Sequence, residues 1–147
     1  MSHREFLPIP PPETATDPIA SPADLHQRWR ALMGTLGFGE RLLWFAFIGP
    51  DRRLIKVASH VPVAASPEPA LVENVMTALR VLVANVGEGS TVALLLSRPG
   101  VGDVTDADRQ WATALEDAAN RFGVPIEPIF RANDEAILHV SRRAKAA

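Results

Sequence analysis

The sequence predicts a mixed α/β (α+β) domain built on a single mixed β-sheet with helices on both faces. Three observations carry that prediction. Two apolar runs, Arg41 to Ile48 and Val92 to Leu96, are short and rich in strand formers, so they read as buried strands. Stretches with helical spacing of apolar residues lie around them, set off by glycine and proline clusters. The resulting order is helix, strand, strand, helix, strand, helix, strand, strand, which one sheet covered on both sides can accommodate.

The first 20 residues are rich in proline (Pro8, Pro10, Pro11, Pro12 and Pro18) and predict an extended or disordered tail. The Pro10-Pro11-Pro12 run favours polyproline II, either as a ligand for an aromatic groove or as a solubilising segment. Ser21-Pro22-Ala23-Asp24 starts the first helix with a capping hydroxyl and a first-turn proline. Leu25, Trp29, Leu32, Met33 and Leu36 share one face, and Gly37 and Gly39 are expected to end it. Arg41 to Ile48 is the central strand, turning at Gly49-Pro50-Asp51. Arg53 to Val61 then alternates, with Ile55 and Val57 on one face and Lys56 and His60 on the other, so the two segments predict a hairpin.

Ser66-Pro67-Glu68-Pro69 opens a second helix, with Val72, Val75, Met76, Leu79, Leu82 and Val86 at helical spacing. Gly87 and Gly89 close it, and Thr91 to Leu96 is the third strand. A third helix spans 105 to 122, capped by Thr105 with Asp108 three residues on, and Gly123 suits its C-terminus. Its buried stripe is Trp111, Leu115, Ala118 and Phe122. Val124 to Phe130 and Ala136 to Val140 predict two more strands around a turn at Asn133-Asp134. The globular domain is thus expected over 21–141, followed by a frayed basic tail over 142–147.

The bulk properties bound the function. A chain of 147 residues fits one domain with a real core. The net charge of −2 gives no pull toward nucleic acid or an anionic membrane, so neither is an expected partner. The chain has no cysteine, which excludes disulfides, thiolate metal sites and a thiol nucleophile and fits a cytoplasmic location. No apolar run is read as reaching the roughly 18 residues of a membrane span. The segment MSHREFLPIPPP lacks a basic region followed by an apolar block, so no signal peptide is read.

Leu94 to Asp108 is the stretch richest in chemistry: a strand end, a Gly/Asp loop, and a helix start. That is where α/β proteins place their sites. With the order of elements, this loop resembles the JAB/JAMM metalloprotease-like fold, in particular its RadC-like branch. The residues that carry the resemblance are Glu40-Arg41-Leu42, Asp51-Arg52-Arg53-Leu54-Ile55, Leu96-Ser97-Arg98-Pro99, Thr105-Asp106-Ala107-Asp108 and Phe122-Gly123-Val124-Pro125, spanning roughly Gly37 to Val140. The resemblance implies a JAB/JAMM (cytidine-deaminase-like) architecture. In that pattern the strand ends in His-x-His-Pro, and the two histidines hold zinc. Here those positions are Leu96 and Arg98.

A catalytic zinc takes about three protein ligands and an open position. Glu40 and Asp108 match the pattern, but Arg98 sets a fixed cation where the metal would sit. At roughly 4 Å two unit charges repel by about 4 kcal/mol even at an effective dielectric of about 20. No metal and no cofactor are therefore expected. Arg98 is read either as pairing with Asp108 or Glu40, in place of the cation, or as a solvated loop arginine. Asp108 is either part of a site or a helix-capping carboxylate. Glu40 is either a site carboxylate or the surface end of a turn. Ser97 is a nucleophile candidate without a nearby histidine or a Gly-x-Ser-x-Gly elbow. Asp103 completes the polar groups of the loop. His3, His26, His60 and His139 show no metal-ligand spacing.

The expected function is a non-catalytic, metal-free binding or regulatory module, a pseudoenzyme that recognises a protein partner and can pair with a second copy. The alternatives are a zinc-independent hydrolase using Glu40 and Asp108 with Ser97 or Arg98, or a nucleic-acid-associated protein.

Overall fold

Strand β1 (Leu42–Ile48) is the hub of a five-stranded sheet in a computed structural model that describes residues 8–55 and 58–140. The other strands are β2 (Ser59–Pro62), β3 (Thr91–Ser97), β4 (Phe130–Ala132) and β5 (Ile137–His139), in the spatial order β2-β1-β3-β4-β5. β1 is antiparallel to both β2 and β3. β3 and β4 are parallel, and β5 returns antiparallel. The sheet is therefore single and mixed, as the order of elements predicts.

The period-2 alternation of strand side chains divides the core. Leu43, Val92, Leu94 and Leu96 point to one face, under helices α2 (Pro69–Val86) and α3 (Asp106–Phe122). Ala46, Ile48, Ala93, Leu95 and Phe130 point to the other, where helix α1 (Pro22–Met33) lays down Leu25 and Trp29. Strands with apolar residues on both faces need cover on both, which is why β1 and β3 read as continuous runs.

Helices α1 and α3 start where their caps predict. Ser21 Oγ accepts from the Asp24 amide at 3.1 Å, and Asp24 Oδ2 accepts from the Ala20 amide at 2.9 Å. Thr105 and Asp108 make both halves of a capping box at the start of α3. Gly123, in the left-handed region, ends α3, as expected. Trp111 on α3 donates its indole N–H to the carbonyls of Ala64 and Ala65, tying the helix to the chain leaving β2.

Several expectations are corrected. Residues 8–20 do not extend as a free tail. A 3-10 turn at Pro12–Thr16 buries Ala15, and Ile19 is buried beside Leu25 and Trp29. Ile19 N–H donates to the Arg52 carbonyl at 2.8 Å, and Arg28 donates to the carbonyls of Asp17 and Pro18. Arginine donors thus satisfy backbone acceptors that proline composition leaves without local partners. Residues 1–7 and 142–147, parts of the two predicted tails, lie outside the described residues.

Helix α1 stops at Gly34, not at Gly37, because Gly34 adopts φ 67° and its N–H returns to Arg30. Leu36 therefore falls outside the helix. In the second strand the alternation is shifted by one: Leu54 is buried and Ile55 exposed. Leu54 makes only an isolated bridge to Ile48, and β2 proper is four residues long. A one-residue shift exchanges the two faces of a strand, and Arg52, at φ 62° in the turn, provides it. Lys56 and Val57 lie outside the described residues.

On α2 the buried stripe includes Val83, while Leu82 is exposed and Val86 half-buried. α2 also meets, by length and composition alone, the requirement for a membrane-crossing helix, against the sequence expectation: 18 residues at a mean hydropathy of 1.2. Its buried stripe nevertheless packs against α3 and the sheet. The strand predicted over 124–130 shrinks to Phe130–Ala132. Pro125 and Pro128 lack the N–H a ladder needs, leaving one parallel bridge from Ile126 to Val92.

Candidate functional site

Arg98, Thr105 and Asp108 of the Leu94–Asp108 stretch meet where β3 runs out at the N-terminus of α3. Arg98 N–H donates to the Ala132 carbonyl at 3.0 Å, extending the β3–β4 pairing by one residue and fixing the Arg98 backbone. Its side chain then meets Asp108 in a bidentate fork. Nε donates to Oδ1 and Nη2 to Oδ2, both at 3.0 Å. The pair is nearly buried, with side chains 11% and 5% exposed. Asp108 Oδ2 also accepts from the Thr105 amide at 2.9 Å. One carboxylate thus caps α3 and binds the guanidinium.

A second arginine stands behind the first. Arg131 on β4 is fully buried, and its Nη1 lies 3.6 Å from Asp108 Oδ2. Nη1 also donates to the Gly102 carbonyl at 3.2 Å. Arg131 Nε and Nη2 have no hydrogen-bond partner among the described residues.

These charges determine the state of Asp108. Burial pushes its carboxyl up, but the Arg98 fork, the Thr105 amide and the charges of Arg98 and Arg131 together outweigh burial. The carboxyl ends below the usual carboxylate range. Burial lowers the Arg131 guanidinium from its ordinary value, opposed by the charge of Asp108. Asp108 is thus a fixed anion between two cations.

The loop from 98 to 105 is held from the β4–β5 turn. Asp134 Oδ2 accepts from the Gly100 amide at 2.9 Å, and Glu135 Oε1 from the Gly102 amide at 2.7 Å. Asn133 Nδ2 donates to the Gly102 carbonyl at 3.0 Å. Gly102 adopts φ 98°, where a side chain is strained, so the turn depends on glycine there. The amides of Gly100, Gly102 and Thr105 are thus occupied by the protein's own carboxylates.

The other sequence candidates are dispersed. Glu40 is exposed in the bend before β1 and takes part in no hydrogen bond or ion pair among the described residues. Arg98 therefore pairs with Asp108, not Glu40. Asp103 is exposed and acts on Arg131 only through its charge. Ser97 is buried, and its Oγ accepts from the Trp44 indole at 2.9 Å. His60 packs its ring on Trp44 with centroids 4.4 Å apart. His26 Nε2 is 2.7 Å from the Ile137 carbonyl.

The depression beside Arg98 and Asp108, walled by Arg41, Leu96 and Trp111, is about 10 Å³, room for about one water molecule. Leu96 contributes no donor, and Arg98 is a cation already paired with Asp108. These residues do not fit the zinc that the resemblance implies. Among the described residues no three His, Asp or Glu side chains converge as a metal set.

Sequence reasoning missed Arg131 and the clasp of Asn133, Asp134 and Glu135. The signal for the clasp was the Asn-Asp turn, read only as a chain reversal. Arg131 carried no signal, because alternation along a three-residue strand is too short to show which face it takes. No protein-family model, no curated protein and no solved structure matches this chain.

Proposed function

We propose that this chain is a metal-independent, non-catalytic module that recognises a protein partner on a scaffold similar to the JAB/RadC-like fold, in the cytoplasm. The observation that carries this reading is the Arg98–Asp108 fork. It joins the strand end to the helix start with a guanidinium at a position where the resemblance expects a metal ligand. The small depression beside it supports binding by the outer surface rather than chemistry in a cleft.

The hydrolase alternative needs Glu40 and Asp108 as an acid–base pair. Glu40 is not joined to Asp108, and a carboxyl held below its ordinary range is a poor proton donor near neutral pH. The net charge of −2 favours a protein over nucleic acid.

The test measures metal content and turnover together. Purified protein is analysed for zinc, titrated with Zn²⁺, and assayed on peptide and isopeptide substrates with and without chelator. The expected result is no stoichiometric zinc and no turnover, with a partner from the native cells re-forming a complex with purified protein. One zinc per chain that is lost in Asp108→Asn, or turnover lost in Asp108→Asn or Glu40→Gln, overturns the reading.

A further inference from the structure

A cavity of about 190 Å³ opens where the end of α1 meets the β4–β5 turn. Ile9 and Leu36 give it an apolar wall, and Arg30, Thr35, Asp134 and Glu135 a polar one. Glu135 is the residue that points to a ligand. It is only 4% exposed, yet it makes no ion pair with any cation among the described residues. Its amide donates to Asn133 Oδ1 at 2.9 Å, and its Oε1 accepts from the Gly102 amide at 2.7 Å. Backbone and carboxylate are thus both anchored, while Oε2 has no hydrogen-bond partner among the described residues. A buried carboxylate without a cation is costly, and a ligand that supplies one removes the cost.

We propose that this cavity binds an alkylammonium group, with the ammonium donating to Glu135 Oε2 and the stem lying on Ile9 and Leu36. The wall sets the charge of the ligand. Asp134 and Glu135 bring two negative charges and Arg30 one positive, so a single positive charge balances them. Both Asp134 oxygens accept from amides, those of Phe38 and Gly100, which keeps that charge beside the cavity. Arg30, 6% exposed, donates to Gln27 Oε1 and to the Pro8 carbonyl, and its fixed cation disfavours a ligand with two positive charges. The acceptor geometry sets the head group. A guanidinium takes both oxygens of a carboxylate, but Oε1 is engaged by Gly102. A hard metal cation gathers about six oxygens, and no three carboxylate or imidazole side chains converge among the described residues. An ammonium is a compact charge that one oxygen can hold.

The cavity is smaller than the roughly 300 Å³ at which pockets for drug-sized ligands begin, so it suits a stem of a few carbons. Two sources share this chemistry: a free small amine, and the lysine side chain of another protein. The inference uses neither residue of the Arg98–Asp108 fork, so it stands or falls separately from the partner-recognition reading.

Titration of the isotope-labelled full chain with n-butylammonium, followed through its amide resonances, tests it. Saturable shifts centred on Leu36, Gly102 and Glu135 are expected, with a dissociation constant of about 1 mM. n-Butanol, which keeps the stem without the charge, is expected to bind about tenfold more weakly. Glu135→Gln keeps an acceptor for the Gly102 amide and removes the charge. It is expected to weaken amine binding about tenfold while the melting temperature stays within a few degrees. Thr35→Lys adds a cation at an exposed wall position without touching the Glu135–Gly102 bond, and is expected to weaken amine binding as well. Nα-acetyl-lysine methylamide is the second probe: binding tighter than that of n-butylammonium assigns the site to a protein lysine, and weaker binding assigns it to a free amine. No saturable shift with either probe, equal binding of n-butanol, undiminished binding by either variant, or displacement of the amine by an equal concentration of sodium ion overturns the proposal.

Discussion

Two arginine–carboxylate forks stand at opposite ends of β3, and they differ in what surrounds them. At its C-terminal end Arg98 and Asp108 are nearly buried. At its N-terminal end Arg52 meets Glu127 through Nη1 and Nη2 at 2.9 and 3.2 Å, but the Arg52 side chain is 40% exposed. The chemistry is the same and the solvent is not. Water screens the outer pair, whereas the inner pair has surrendered its hydration and depends on its partners. The inner carboxylate also caps a helix and neighbours a second buried cation. The outer fork ties a turn to the chain entering β4. The contrast teaches that identical forks differ in leverage according to burial and the number of groups each satisfies.

The largest effect is expected for Asp108→Ala. It leaves two buried guanidinium groups facing each other and removes the α3 cap, so a loss of about 3–5 kcal/mol is expected in urea unfolding. Glu127→Ala is expected to cost no more than about 1 kcal/mol. Equal losses at the two ends would break the comparison.

Arg98→Ala comes next, at about 2–3 kcal/mol, because Thr105 N–H and Arg131 still face the stranded Asp108. A loss as great as that of Asp108→Ala would show that Arg131 gives the carboxylate no support.

Arg131→Met sharpens the point from the other side. It removes the unpartnered Nε and Nη2 while Arg98 continues to hold Asp108. Stability is expected to stay level or rise by about 1 kcal/mol in thermal and urea melts. A loss of more than about 2 kcal/mol would mean that the ion pair to Asp108 outweighs the cost of burial.

Acidity and salt give the smallest effects. The folded Asp108 carboxyl lies below its unfolded value, so its stabilisation is fully present above about pH 4 and disappears as pH falls through the folded value. Glu127 is also lowered, first by its bond to Arg52, and has the same sign. Stability measured against pH is expected to fall less steeply in acid for Asp108→Asn than for the parent, with a weaker flattening for Glu127→Gln. Raising salt to about 1 M is expected to erase the Glu127→Gln difference and leave that of Asp108→Asn.

The sequence made the inner fork more legible than the outer one. Thr105 and Asp108 are three residues apart, and the helix geometry that joins them is local. Arg98 lies ten residues from Asp108, across a loop bounded by readable strand and helix signals. β1, β3 and α3 were legible for similar reasons, since long periodic segments determine their own type. Arg52 and Glu127 are 75 residues apart, and nothing local announces their meeting. Arg131 was hidden because its burial is set by β3, paired to a strand of only three residues. The N-terminal segment misled because proline content signals a lack of regular structure, and Ile19 found its place through Arg52 rather than through a ladder of its own.

That last attachment makes one amide a reporter of the N-terminal segment. Ile19 and Arg52 bond each other twice, amide to carbonyl and guanidinium Nε to carbonyl, across 33 positions of chain. Opening of the segment before α1 breaks both bonds without disturbing the pairing of β1 with β3. Amide exchange at Ile19 under native conditions should therefore be faster than within the β1–β3 ladder, and faster still in Arg52→Ala, which loses the Nε bond.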